Sequence, residues 1–260
     1  MKIKADCYLD MDAEAQVDAV VDTLIADFND VPDLAADAVG HVGLEYYRLA
    51  RISQNEGLDA QAKEYFAKAI EVWDRIYDIE GANDTEFAKM HFRSGVVLAQ
   101  ELGRYQEGID YYQTLVDNWP GYEGTEYAQH NIAVYYEKMK IEGLLPAAEA
   151  DLKIEAAYKG VVENYPESKF VNRALQKLIK IQRDKGNLAE AAVYMEQFVE
   201  AYPDDERADD VLYDLGGVYE ELGLFDMAVQ SYHNFIGIVD PNEPRVEDVL
   251  ARIEQLGGAN

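Results

Sequence analysis

Four histidines, one cysteine and several carboxylate pairs are the residues of this chain whose types could carry chemistry. His41, His91, His130 and His233 are scattered, with no HExxH and no metal-ligand spacing, so each reads as a surface or core residue rather than a ligand. Cys7 has no obvious histidine partner, and a single cysteine allows no intramolecular disulfide. The segment Asp10–Ala15, "DMDAEA", opens like a calcium loop but lacks the glycine at the sixth position and the glutamate at the twelfth. Asp204-Asp205 and Asp209-Asp210 stand at a helix start, where the helix dipole favours negative charge. There is no P-loop and no GxGxxG following a strand. No nucleophile, general base or metal set assembles from these residues, so the expectation is a non-enzymatic chain without a cofactor or metal.

The sharper signal is electrostatic. "KFVNRALQKLIKIQRDK", Lys169 to Lys185, holds six basic residues and one acid in a chain of net charge −28. At about 100° per residue, Lys169, Arg173, Lys177, Lys180 and Arg183 fall in one sector of about 120°. Val171, Ala174, Leu175, Leu178 and Ile179 take the opposite side. The apolar side must pack, so the basic stripe faces outward, either as a binding surface or as a solvated face that offsets neighbouring acids. The overall charge argues against nucleic acid, whose affinity rests on Lys and Arg, and against anionic membrane surfaces. No apolar run reaches the length of a membrane span, so no direct membrane insertion is expected. Adaptation to high salt is another reading of the acidity.

A repeat positions these residues. From Gly223, Phe225 stands at +2, Ala228 at +5, Tyr232 at +9, Phe235 at +12 and Pro241 at +18. From Gly186 come Leu188, Ala191, Met195, Phe198 and, at +17, Pro203. From Gly103 come Tyr105, Gly108, Tyr112, Leu115 and, at +17, Pro120. Gly57 begins the same series with Asp59, Ala62, Phe66 and Ala69, without the proline. Glycine ends a first helix, the small residue at +5 admits close approach, and the residues at +9 and +12 share one helical stripe. The proline closes the second helix. One such pair cannot bury its apolar face alone, and stacked pairs can. Tyr112, Tyr158 and Tyr232 therefore read as core residues rather than a ligand cage.

The pattern Leu215-Gly216, Tyr219, Gly223, Phe225, Ala228, Tyr232 resembles the tetratricopeptide (TPR) repeat. Two positions depart from it: Gln182 stands where an aromatic is usual, and Gly108 replaces alanine. The resemblance implies an all-α fold, a right-handed superhelical solenoid of helix-turn-helix repeats with about twelve helices. The turns "YPESKF" and "AYPDDERADD" also resemble those of bacterial cell-envelope TPR proteins, of the outer-membrane-assembly lipoprotein or Tol–Pal-associated type. That favours an envelope or periplasmic location for a longer parent protein; the compartment is otherwise unreadable.

The expected organisation is a truncated first repeat (1–32), a stretched repeat (33–83), a repeat (84–120), a stretched repeat with an insertion near 139–153 (121–166), two further repeats (167–203 and 204–241), and a capping helix with a tail (242–260). In the insertion, a loop at Gly143-Leu144-Leu145 precedes a helix opened by Pro146. The cap carries Val246, Val249, Leu250 and Ile253 on one stripe. The start reads as the inside of a repeat, hence a fragment of a longer protein.

The resemblance further implies a concave groove lined by first helices. Arg173, Lys177, Lys180 and Arg183 then form its electropositive part, facing an acidic segment or C-terminal carboxylate. In some TPR domains basic and Asn residues of three first helices clamp a carboxylate. Counting from Gly103 and Gly186 sets Arg93 at the first basic position, Asn131 at the second repeat's Asn, and Arg173 and Lys177 at the last two; Val97 departs from the pattern. Tyr47, Arg48, Tyr127, His130 and Tyr213 complete the groove candidates, Tyr and Arg being enriched in binding hot spots. The function expected is a protein–protein or peptide interaction scaffold. The alternative is a structural spacer or oligomerisation solenoid, with self-association to a homo-oligomer.

Overall fold

A computed structural model describes residues 14–28 and 30–257. Cys7 and most of the Asp10–Ala15 segment lie outside the described residues. The chain is all-α, as expected, with twelve α-helices and no strand among the described residues. They are α1 (Glu14–Asp27), α2 (Pro32–Asn55), α3 (Asp59–Asp74), α4 (Asp84–Val96), α5 (Tyr105–Asn118), α6 (Thr125–Ile141), α7 (Ala147–Asn164), α8 (Val171–Lys185), α9 (Leu188–Ala201), α10 (Ala208–Glu221), α11 (Phe225–Ile238) and α12 (Arg245–Gly257). None is long and apolar enough to cross a membrane. The chain forms two compact units, Met1–Ile154 and Glu155–Asn260, the division falling inside α7 and within the repeat read as 121–166.

The glycine turns form as the repeat requires. Gly57, Gly103, Gly143, Gly186 and Gly223 all have positive φ, between 66° and 76°. In four of them the residue after the glycine donates its N–H to the carbonyl five residues back: Leu58 to Ser53, Leu144 to Met139, Asn187 to Gln182 and Leu224 to Tyr219, at 2.8–2.9 Å. This is the Schellman closure of a helix end. The turn at Gly103 differs: Arg104 N–H reaches back six residues, to Leu98 O at 2.8 Å. The extra residue is taken up by a π turn over Val97–Glu101, where Leu102 N–H bonds to Val97 O at 3.0 Å.

In the first unit consecutive helices pack against one another from α1 to α6. Phe66, Trp73 and Tyr112 are fully buried there, and Trp73 Nε1 donates to Gly40 O at 3.1 Å. A Cβ on Gly43 would lie 2.2 Å from the Trp73 indole, and one on Gly95 2.6 Å from the Tyr112 ring. In the second unit α8 to α12 also pack in succession, around Tyr158, Phe198, Tyr232 and Phe235. A Cβ on Gly216 would lie 2.2 Å from the Tyr232 ring. The same device thus recurs: a bare glycine on the first helix seats a large aromatic from the second. In the α8–α9 pair Ile179 stands seven residues before the turn glycine, as Gly216 does, and the facing residue is Met195 instead of an aromatic.

One local expectation is corrected and one departure from the pattern is explained. In α12, Val249 and Leu256 are buried, whereas Leu250 is exposed, because 246, 249, 253 and 256 form the inward stripe and position 250 lies about 100° off it. Gln182, at the usual aromatic position, is wholly buried. Its Nε2 donates to Glu155 Oε1 at 2.6 Å and its Oε1 accepts from Asn187 Nδ2 at 2.9 Å, so a satisfied polar network fills the place of a ring.

Candidate interaction surface

The apolar side of α8 is buried as expected: Val171, Ala174, Leu175, Leu178 and Ile179 all face the core of the second unit. The other side carries the basic stripe. Lys169, just before the helix, sits 5.2 Å from the centre of the Phe170 ring. Arg173 is exposed and makes no hydrogen bond or ion pair among the described residues. Lys177, one turn on, is half-buried. The rest of the stripe is engaged within the unit: Lys180 Nζ pairs with Asp184 at 2.9 Å, and Arg183 pairs with Asp214 of α10. Lys185, outside the stripe, pairs with Glu155 of α7.

Beside Arg173 and Lys177 lies a polar array that sequence reading did not single out. Asn172 Nδ2 donates to Asp205 Oδ2 at 2.9 Å, and Arg207 Nε donates to Asp205 Oδ1 at 2.8 Å. Gln176 bonds both Asn172 and Arg207. The Arg207 guanidinium holds the Asp205 carboxyl far below the usual carboxylate range. Its sequence signal is faint: Asn172 and Gln176 are i, i+4 neighbours one position before Arg173 and Lys177, so the two pairs form adjacent strips about 100° apart around the helix.

Tyr213, on α10, is covered by the cap. Its hydroxyl bonds Asp248 Oδ2 at 3.1 Å, and the Arg245 guanidinium stands 5.5 Å from its ring. Arg245 also pairs with Asp209 at 2.8 Å and Asp210 at 2.7 Å, so those acids hold α12 in place.

In the first unit the candidates lie on α2, α4 and α6. Tyr47 is half-buried against Phe66, ring centres 5.5 Å apart, and Arg48 is exposed and pairs with Glu45 at 2.6 Å. Arg93 is half-buried on α4; a Cβ on Gly40 would lie 3.6 Å from its Nη1, so the guanidinium rests on α2. Tyr127 of α6 bonds Gln100 and packs edge-on to Phe92, centres 5.7 Å apart. His130 and Asn131 are buried, and Asn131 Nδ2 donates to Tyr127 O at 2.8 Å. The π turn also moves the register of α4. Counted from Gly95, the glycine that seats Tyr112, Arg93 comes two residues earlier, as Asp214 does before Gly216 and Lys177 before Ile179. Arg93 is therefore level with Lys177, and Lys89 with Arg173.

Comparison with known families matches residues 47–123 and 173–205 to the tetratricopeptide repeat. The chain contains tetratricopeptide repeats. Comparison with functionally described proteins gives no match. Among solved structures, the chain is similar to PilW, described as a widely conserved type IV pilus biogenesis factor, with 18% identity over 95% of this chain and 94% of that one and a TM-score of 0.39. It is also similar to BtubC from P. vanneervenii, with 13% identity over 94% and 89% and a TM-score of 0.46. The TPR domain of P58(IPK) is a third, with 13% identity over 96% and 69% and a TM-score of 0.34.

Proposed function

We propose that this chain is a non-enzymatic protein- or peptide-binding scaffold, and that the outer side of α8 takes an acidic segment or a free C-terminal carboxylate. The observation that carries this reading is Arg173, exposed and without a partner among the described residues, one helical turn from Lys177 in a chain of net charge −28. Two cations at i and i+4 are spaced to share one carboxylate, and an arginine fork adds directed hydrogen bonds. The chain's negative charge does not defeat this, because at physiological salt fields fade over about 8 Å and the local patch governs contact. The TPR repeats support the scaffold reading, and Arg93 with Lys89, the latter paired with Glu86 at 2.7 Å, repeats the i, i+4 basic spacing within the first unit. The bacterial-envelope association rests only on the Tyr165-Pro166 and Tyr202-Pro203 turns.

The test is fluorescence anisotropy with a labelled octapeptide rich in Asp and Glu, carrying either a free or an amidated C-terminus. Binding should weaken at least about tenfold in the Arg173→Glu/Lys177→Glu variant. Amidation should weaken it as well if the terminal carboxylate is the anchor. Unchanged affinity in the charge-reversed variant would exclude this face as the site. Self-association of the intact chain with no peptide binding would favour the spacer or oligomerisation role.

A further inference from the structure

The exposed large hydrophobic residues of the second unit have an uneven distribution. Val193, Phe225, Met227 and Ile238 lie on the second helices α9 and α11, Leu224 precedes α11 and Leu250 lies on α12, while α8 and α10 expose none. Between α9 and α11 runs a groove floored by α10. One cleft of about 490 Å³ and another of about 400 Å³ share Val199, Leu212 and Asn234 and so form one trough. Met227 opens it at one end, 42% exposed, and Ile238 lies at the other, 53% exposed. Beyond Ile238 the trough continues into a third cleft walled by Asp204, Glu206 and Asp240.

The groove's chemistry limits its occupant. No lysine or arginine lines any of the three clefts, while Glu196, Glu200 and Asp226 line the first. Glu200 makes no hydrogen bond or ion pair among the described residues. The polar groups of the trough are largely satisfied by one another: Ser231 Oγ donates to Leu212 O at 2.8 Å and Gln230 Nε2 to Asn234 Oδ1 at 3.0 Å. Such a groove offers little to an extended backbone, whose own N–H and C=O groups would lose water without gaining partners. A helix satisfies its backbone internally and presents apolar side chains at i, i+3, i+4 and i+7. On α11 the lining residues run from Asp226 to Ile238, so the trough is about 20 Å long, between three and four turns of such a helix.

We propose that this groove docks a basic amphipathic helix of a partner protein, its apolar stripe on Val199, Leu212, Met227 and Ile238 and its flanking Lys or Arg side chains against Glu200 and the acidic end. The site is separate from the basic face of α8 and takes a ligand of opposite charge.

The probe is a fluorescein-labelled 14-residue peptide with Leu at i, i+3, i+4, i+7 and i+11 and Lys on the flanks. A scrambled peptide of identical composition is the control, with both titrated by anisotropy into the full chain. The patterned peptide should bind at least about tenfold more tightly than the scrambled one. The Met227→Glu/Ile238→Glu variant adds two negative charges, which would strengthen purely electrostatic attraction, yet it should weaken the patterned peptide at least about tenfold. Both sites are exposed, and circular dichroism checks the fold; Met227→Gln alone should give a smaller loss in the same direction. Glu200→Gln should flatten the salt dependence, and Arg173→Glu/Lys177→Glu should leave this binding intact. Equal affinity for the two peptides, or no effect of Met227→Glu/Ile238→Glu, overturns the proposal. So does sedimentation showing that this variant turns a dimer into a monomer, because the occupant would then be a second copy of the chain.

Discussion

Gly108 faces the π turn, and its missing Cβ has a structural reason. A methyl there would lie 2.7 Å from Ala99 Cβ and 3.0 Å from both Ala99 N and Gly95 O, atoms fixed by backbone. Alanine is the usual residue at this repeat position, and it would gain roughly 1 kcal/mol of helix propensity. Overpacking against a rigid wall costs about 1–3 kcal/mol, so the clash should outweigh that gain. Gly108→Ala should therefore lower the midpoint of urea unfolding; a raised midpoint would mean that the π turn relaxes into a regular helix. Gly216 obeys the same logic against Tyr232, which also bonds Glu220 and Arg252. Gly216→Ala should destabilise by a few kcal/mol, at the upper end of the overpacking range. The Gly216→Ala/Tyr232→Met double variant imitates the Ile179 and Met195 combination, so its loss should be smaller than the sum of the two single losses. Additive losses in a double-mutant cycle would show that the ring and the glycine are not coupled.

The elements were largely legible in the sequence, for a physical reason. Positive-φ glycines and helix-ending prolines act locally, so Gly57, Gly103, Gly143, Gly186 and Gly223 mark turns wherever the chain goes next. The basic stripe of α8 was legible because helical periodicity alone separates it from Leu175 and Leu178. The π turn was not: it inserts one residue inside an unbroken helical pattern, and only the odd Gly108 hinted at it. The engagement of Arg183 by Asp214, or of Tyr213 by Arg245, was not legible either, since it depends on which side chains meet across helices. His91 is a related case, a lone histidine whose role appears only with its neighbours. It is buried among Tyr77, Tyr111 and Trp119, with Tyr77 Oη 2.6 Å from its Nε2, and Tyr111 in turn bonds Asp74. Burial lowers its pKa from the ordinary 6.5 to about 4, so the folded state holds it neutral. Below pH 6.5 the unfolded chain takes up a proton that the folded chain refuses, and stability drains away until about pH 4, below which both states are protonated. Between pH 7 and pH 4 the chain should lose on the order of 3 kcal/mol more than His91→Asn, which has no such proton to bind. Parallel stability curves for the two proteins would show that His91 is not held neutral by its surroundings.

At the scale of the whole molecule the dominant quantity is charge. Acids number 51 against 23 lysines and arginines, so even with every cation paired a large negative excess remains. Raising the salt has two opposing effects. It screens ion pairs such as Lys180 with Asp184 and Arg104 with Glu107, both solvent-exposed and each contributing at most about 1 kcal/mol. It also screens the mutual repulsion of the excess carboxylates, which acts over a distance of about 30 Å at 0.01 M salt and about 3 Å at 1 M. Repulsion between many like charges favours expansion of the chain, and its sum exceeds the loss of a few surface pairs. The melting temperature should therefore rise between 0.01 M and 1 M sodium chloride, and most of the rise should come below about 0.2 M, where screening changes fastest on the length scale of one repeat. Scanning calorimetry across that series decides the matter. A melting temperature that falls with salt would mean that the paired charges, and not the excess, set the electrostatic balance. A rise that stays steep up to 1 M, where screening has saturated, would point to salt-driven strengthening of apolar burial and to a chain suited to saline surroundings.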